Sequence, residues 1–235
     1  MSNVQPPAGP ELEVEFDLEA LLASPAEEHG TDHSTAPGDE EAAETEAGGI
    51  PQPQPLAAVC KRDFKAQRTQ GSRAVSQIRL IIIHSTESNS ARSSANWFAN
   101  PNSKGSAHIL VDDNECYRTL DDTVIPWGAP GANTHGFHVE HTGFAAWDRA
   151  KWMSHEQTLR RGAFKSAFHA VKFGIPIQLL NVADLKNGRS GFATHATVSK
   201  FHPPKKGGGH TDPGAGFPLD HYMELVEQFA TEIDV

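Results

Sequence analysis

The chain is short of several things, and each shortage excludes a class of protein. Two cysteines, Cys60 and Cys116, are too few for a disulfide framework, and such scarcity suits a reducing compartment. No apolar run approaches the ~18–20 residues that span a bilayer, so insertion in a membrane is not expected. The N-terminus has neither a basic stretch nor an apolar stretch of the kind that begins a secretory signal. The expectation is a protein made in a cytoplasm, with any action outside needing another export route. Basic residues are missing from one region altogether. Residues 1–60 contain no Lys or Arg and hold 13 of the 30 acidic residues. All 20 Lys and Arg therefore face 17 acidic residues in 61–235, a net +3, and the formal −10 belongs to the N-terminal part. So slight an excess suits a polyanionic surface, a bacterial envelope or a nucleic acid, and is too small to decide between them. The partner expected from the chain as a whole is not a nucleic acid.

The 235 residues divide by composition. Residues 1–56 are rich in Pro, Gly, Ala and Glu, and close on Pro51-Gln52-Pro53-Gln54-Pro55, which reads as a disordered acidic arm with a stiff linker. Within the arm, residues 11–19 alternate acidic and apolar side chains, either by accident in a solubilising tail or as a docking strand. Residues 57–75 form a basic lead-in with no clear pattern. Residues 76–235 read as one folded domain. There, Leu80-Ile81-Ile82-Ile83-His84 is a buried strand that stops on a histidine. Ser90 caps a helix through Phe98, ending before Pro101. Residues 106–114 and 115–120 read as a hairpin, residues 126–131 as a loop and residues 136–144 as a strand. Ser154-His155-Glu156-Gln157 fits a capping box for a helix ending at Gly174, Phe192-Ala193-Thr194-His195 is a short strand, and residues 219–233 form a closing amphipathic helix. The fold class is α/β, a mixed central β-sheet flanked by helices.

Thirteen histidines are many for this length. Three positions could hold a hydrolytic Zn²⁺ and leave room for water: His84 and His195 at strand ends, and Asp212 after three glycines. Each has a plainer reading, since a lone His after an apolar run is more often a hydrogen-bonded structural residue. Glu140, among Phe137, Val139 and Phe144, would be a desolvated general base, or a surface residue of an edge strand. His210 could donate to an oxyanion or sit in solvent.

Four segments in order resemble the type 2 N-acetylmuramoyl-L-alanine amidase family, which includes phage endolysin amidases and the peptidoglycan recognition proteins. They are Ile81-Ile82-Ile83-His84-Ser85-Thr86, then Ser106-Ala107-His108-Ile109-Leu110-Val111-Asp112, then Phe137-His138-Val139-Glu140-His141-Thr142-Gly143, and His195 with His210-Thr211-Asp212-Pro213-Gly214. They cover roughly residues 76–232. The resemblance implies a zinc site of His84, His195 and Asp212, with Glu140 as the acid/base. It sets His210 where many members carry a Lys that steadies the tetrahedral intermediate, and Trp127 beside the substrate groove, though a core-packing place suits Trp127 equally. His108 and Thr86 are the remaining expected substrate contacts. The implied reaction splits N-acetylmuramic acid from L-alanine in bacterial peptidoglycan. The expected protein is a monomer, made in the host cytoplasm as a phage endolysin and acting on the wall after release. A peptidoglycan-binding module without catalysis, or a virion-associated wall protein, is the competing reading. The chain departs from the family pattern at Ala107, where some relatives use Tyr, and at Gly128, where a His usually follows the Trp. The gap between His195 and Asp212 is also long, so His202 or His210 could take the last ligand place.

Overall fold

The computed structural model describes residues 55–202 and 209–233. The acidic arm and its alternating stretch lie outside the described residues, except for Pro55 and Leu56. A five-stranded sheet runs through the domain in the order β4-β3-β6-β2-β7. Its strands are β2 (Leu80–Ser85), β3 (Ile109–Val111), β4 (Cys116–Arg118), β6 (Gly136–His141) and β7 (Gly191–Thr194). β2, β3, β6 and β7 are parallel, and β4 returns antiparallel from β3 as the hairpin pattern predicts. The expected mixed sheet flanked by helices is what the chain builds.

Strand alternation sends neighbouring side chains to opposite faces. On one face Ile81, Ile83, Phe137, Val139, Ile109 and Val111 pack under two long helices, α3 (Glu156–Phe173) and α6 (Leu219–Glu232). On the other, Leu80 and Ile82 meet Leu180, Leu185 and Val198 of a smaller cluster, and Leu110 meets Ala91 and Ala95 of α1 (Ala91–Phe98). Fully burying one such aliphatic or aromatic side chain stabilises by roughly 1.5–3 kcal/mol, so the broad helix side carries most of the stability.

Several local readings are corrected. The capping box at Ser154 does not form. Ser154 is instead the C-cap of a short helix, α2 (Arg149–Met153), and its hydroxyl donates to the Lys151 carbonyl at 2.7 Å. The first turn of α3 is satisfied from outside: the Asp113 carboxylate accepts from the Thr158 amide at 2.9 Å and the Thr158 hydroxyl at 2.8 Å. The far end follows expectation, with Gly174 left-handed at φ 64°. His195 is not the last residue of a strand but the first of α5 (His195–Phe201), whose N-cap Thr194 accepts from the Thr197 amide at 3.1 Å.

The basic lead-in belongs to the fold. Lys61 forms a parallel bridge with Tyr117, and β1 (Thr69–Ser72) pairs with β5 (Val124–Pro126) in a two-stranded sheet. Two cations of α3 reach it from below. Arg161 Nη1 donates to the Pro55 carbonyl at 3.2 Å, and Lys165 Nζ to the Ala58 carbonyl at 2.7 Å. Burial lowers the Lys165 ammonium to about 8. The two cysteines, read from sequence as too few for a disulfide framework and suited to a reducing compartment, do pair. Cys60 and Cys116 form a disulfide with Cα atoms 4.6 Å apart, closing a loop across 56 positions. The bond fastens the lead-in to β4, which would otherwise be a bare sheet edge.

Candidate metal centre and active site

The carboxyl ends of the parallel strands open on a cleft of about 1010 Å³. That is where an open α/β sheet presents its loops to a ligand. His84 is the fifth residue of β2 and Glu140 the fifth of β6, and the two are direct register partners on neighbouring strands. Both side chains therefore project from the same face into the cleft. The edge-strand reading of Glu140 is excluded, because β6 lies in the middle of the sheet.

Asp212 arrives from the opposite wall. Its carbonyl accepts from the Ala196 amide at 2.9 Å, which ties the loop to the first turn of α5. Gly214 follows with φ +97°, and a Cβ there would stand 2.0 Å from the Ala145 carbonyl oxygen, so only glycine lets the loop return so tightly. The Asp212 carboxylate then faces two imidazoles. His84 Nδ1 lies 3.1 Å from Oδ2, and His195 Nδ1 lies 3.0 Å from Oδ1. One ligand atom from each of the three lies within 4.8 Å of the others, and all three residues are buried.

Electrostatics sort these groups. The Asp212 carboxyl is held far below the usual carboxylate range: burial pushes it up, and the bonds to His195 and His84 overcome that. The His195 imidazole is pushed down chiefly by burial, so it is neutral and able to act as a ligand at neutral pH. The Glu140 carboxyl is driven well above its ordinary value by burial, then by the negative Asp212 and Glu87. Its Oε2 is buried with no hydrogen-bond partner among the described residues, as is Nε2 of His195. Two imidazoles, one ionised carboxylate and an unsatisfied carboxyl oxygen nearby are a donor set that suits a divalent zinc with an open position. The residues fit such an ion.

The other expected residues fall on either side of the cleft wall. Thr86 and Trp127 line it, and Trp127 is 41% exposed with the Arg68 guanidinium 5.9 Å over its ring. His210 also lines the cleft. Its ring stacks on His195 at 4.0 Å and its Nδ1 is 3.6 Å from Asp212 Oδ1. Burial first, and then His195, lower the His210 imidazole, so at neutral pH it is uncharged and keeps one N–H to donate. His202 is the exposed C-cap of α5 and is outside the three-residue group. His108 is a correction. It is fully buried behind the cleft, where Nδ1 accepts from the His138 amide at 3.0 Å and Nε2 donates to the Val124 carbonyl at 3.1 Å. Both nitrogens are engaged by the protein, so the ring has nothing to offer a substrate. Sequence reasoning missed Trp97, Glu87 and His138. Trp97 and Glu87 line the cleft, Trp97 being 51% exposed and Glu87 held at φ 52°. Strand alternation alone could have placed His138 on the face of His84 and Glu140.

Fold and site together define an α/β domain whose sheet end holds a possible metal site of two histidines and an aspartate. Residues 74–215 match the family model described as N-acetylmuramoyl-L-alanine amidase. N-acetylmuramoyl-L-alanine amidase A of Achromobacter lyticus is 28% identical over 169 residues, covering 68% of this chain and 90% of that protein. Among solved structures, the hydrolase AmiA of Staphylococcus aureus in complex with its ligand superposes with a TM-score of 0.57 at 19% identity, over 75% of this chain and 85% of that one. A selenomethionine derivative of AmpD gives 0.50 at 15% identity, over 74% and 98%. The chain belongs to the N-acetylmuramoyl-L-alanine amidase family, and it is an amidase.

Proposed function

We propose that the protein is a zinc-dependent amidase that cleaves bacterial peptidoglycan between the lactyl group of N-acetylmuramic acid and the L-alanine of the stem peptide. The observation that carries this is the convergence of His84, His195 and Asp212 beside Glu140, whose buried Oε2 has no partner among the described residues. A bound zinc supplies an ionisable water and polarises the scissile carbonyl. The chain's own residues do the rest. Glu140 takes the water's proton at Oε2 and returns it to the leaving nitrogen of L-alanine. His210, uncharged at neutral pH and stacked over the ligand His195, donates its N–H to the developing oxyanion. Thr86 and Trp127 on the cleft wall hold the substrate strand.

The same proposal includes the working place. The enzyme is a monomeric phage endolysin, made in the host cytoplasm and acting on the wall after release. The Cys60–Cys116 disulfide supports a working place outside a reducing compartment. Digestion of purified peptidoglycan, with mass spectrometry of the products, tests the chemistry. Wild type is expected to release stem peptides with a free L-alanine amino terminus, and Glu140→Ala to release none. Wild-type zinc protein that leaves the wall intact overturns the proposal. Expression in a bacterium, with and without access to the wall, tests the lytic role: lysis is expected only when the wall is reached.

A further inference from the structure

Behind the metal ligands lies a second histidine that the catalytic reading does not use. His138 sits on β6 two residues before Glu140, so its side chain points to the same face, one pleat deeper. It is fully buried. Its Nδ1 lies 3.1 Å from Nε2 of His84, and the two rings stack at 5.0 Å with 21° between their planes.

The slot that holds this ring is built for it. A Cβ on Gly128 would stand 2.5 Å from His138 Nδ1, and a Cβ on Gly136 would stand 2.7 Å from its Nε2. Two glycines, one in the loop after Trp127 and one opening β6, therefore leave the space that the imidazole fills. At Gly128 the His138 ring packs over bare backbone. The surroundings also fix its height. The backbone amide of His138 donates to His108 Nδ1 at 3.0 Å, and His108 is anchored in turn on the Val124 carbonyl.

We propose that His138 is a positioning residue for the metal ligand His84: its Nδ1 accepts the Nε2–H of His84 and so leaves Nδ1 of His84 bare toward the metal. This rests on the zinc reading above. Each neutral imidazole carries one proton, and a ligating nitrogen must carry none. His84 faces Asp212 and the metal place with Nδ1. Its proton must then lie on Nε2, and His138 Nδ1 is the acceptor within reach. The backbone of His84 is steadied from the other face of the sheet. His141 Nδ1 donates to the His84 carbonyl at 3.0 Å, and Nε2 of His141 accepts from the Tyr222 hydroxyl at 3.1 Å. Ring and backbone of one ligand are thus set by two different histidines.

The test is zinc affinity of the full chain by competition with a chelator, beside ¹⁵N spectra of the His84 ring in the zinc-loaded protein and melting of the metal-free form. His138→Leu is expected to bind zinc about 10–100-fold more weakly. His138→Asn, whose Oδ1 can accept where Nδ1 did, is expected to stay within a few-fold of wild type. Wild-type spectra should show a protonated, slowly exchanging Nε2 on His84, and that proton should exchange freely in the Leu variant. If the Leu variant does not fold, His138→Ala takes its place, with the same expectation. Unchanged affinity without the acceptor, or equal loss in the Asn and Leu variants, overturns the positioning role. Wild type that takes up no zinc is a separate result, and it removes the zinc reading itself.

Discussion

The two faces of β2 and β6 do opposite work with the same backbone. Toward α3 and α6 the strands present Ile81, Ile83, Phe137 and Val139, all fully buried in the larger core. Toward the cleft the alternate residues begin apolar, with Leu80 and Ile82, and then turn polar at the carboxyl ends, where His84, His138 and Glu140 are also buried. One face gains stability from close packing. The other spends some of it, because a buried carboxyl with an unpartnered oxygen costs roughly 1–3 kcal/mol. A strand pair set rigidly by one face can hold strained chemistry on the other. The faces should therefore separate cleanly under mutation.

The largest effect is expected on the cleft side. Glu140→Gln should lower turnover on peptidoglycan by roughly 10²–10⁴-fold, the usual weight of a general acid/base. The thermal midpoint of the metal-free variant should stay equal or rise, since the substitution removes a carboxyl that burial disfavours in its charged form. A sharp fall in the midpoint, with turnover kept per folded molecule, would reverse the roles assigned to the two faces.

On the helix side the signs exchange. Phe137→Ala should cost about 3–5 kcal/mol in denaturant unfolding. The ring is fully buried and stacks on His169 at 4.0 Å. Turnover and zinc content of the fraction still folded should be close to wild type. Loss of zinc in that fraction would show that the two faces are coupled through β6.

The disulfide lies at the far edge of the sheet from β7, and its effect should be smaller. Cys60→Ser should cost about 2–4 kcal/mol, as expected for a bond that closes a long loop. Activity at moderate temperature should persist. Chemical denaturation with and without reductant checks this: reduction should shift the wild-type curve toward the variant and leave the variant unmoved.

The two faces were also unequally legible from sequence. Apolar runs such as residues 80–83 announced buried strands, and strand ends with His and Glu announced chemistry, because alternation and burial leave local traces. Pairings between distant segments leave none. Nothing in Thr69–Ser72, exposed at all four positions, predicts that it pairs with β5. Helices of five residues, such as α2 and α4 (Val182–Lys186), are too short for a period to show. Asp113 competes with Ser154 for the start of α3 only in three dimensions, so a local capping pattern misled. The Cys60–Cys116 bond crosses 56 positions and follows from the lead-in docking on β4, which no spacing reveals. His108 reads as a cleft residue only until His138 and Val124 are seen to hold both its nitrogens.

The smallest expected difference is in pH dependence. On the helix side, burial keeps His141 and His169 neutral, lowering them from the ordinary 6.5 to about 4 and about 3. The unfolded chain takes up these two protons first as pH falls below about 6.5. The stability they protect is whole above that value and drains away until pH passes the folded values near 4 and 3. Each adds a slope of about 1.4 kcal/mol per pH unit across its window. Glu140 on the cleft side has the opposite sign. Its folded value lies above the ordinary 4.5, so the unfolded chain loses its proton first and stability falls as pH rises from about 4.5. Between pH 4.5 and 6.5 the two faces therefore work against each other in the metal-free protein. Glu140→Gln should remove the opposing slope and leave a steeper rise of stability with pH over that interval. Urea unfolding at half-unit pH steps checks it. A variant curve parallel to wild type from pH 4.5 to 6.5 would mean that Glu140 is already ionised in the metal-free cleft, and that the burial argument for its protonation fails.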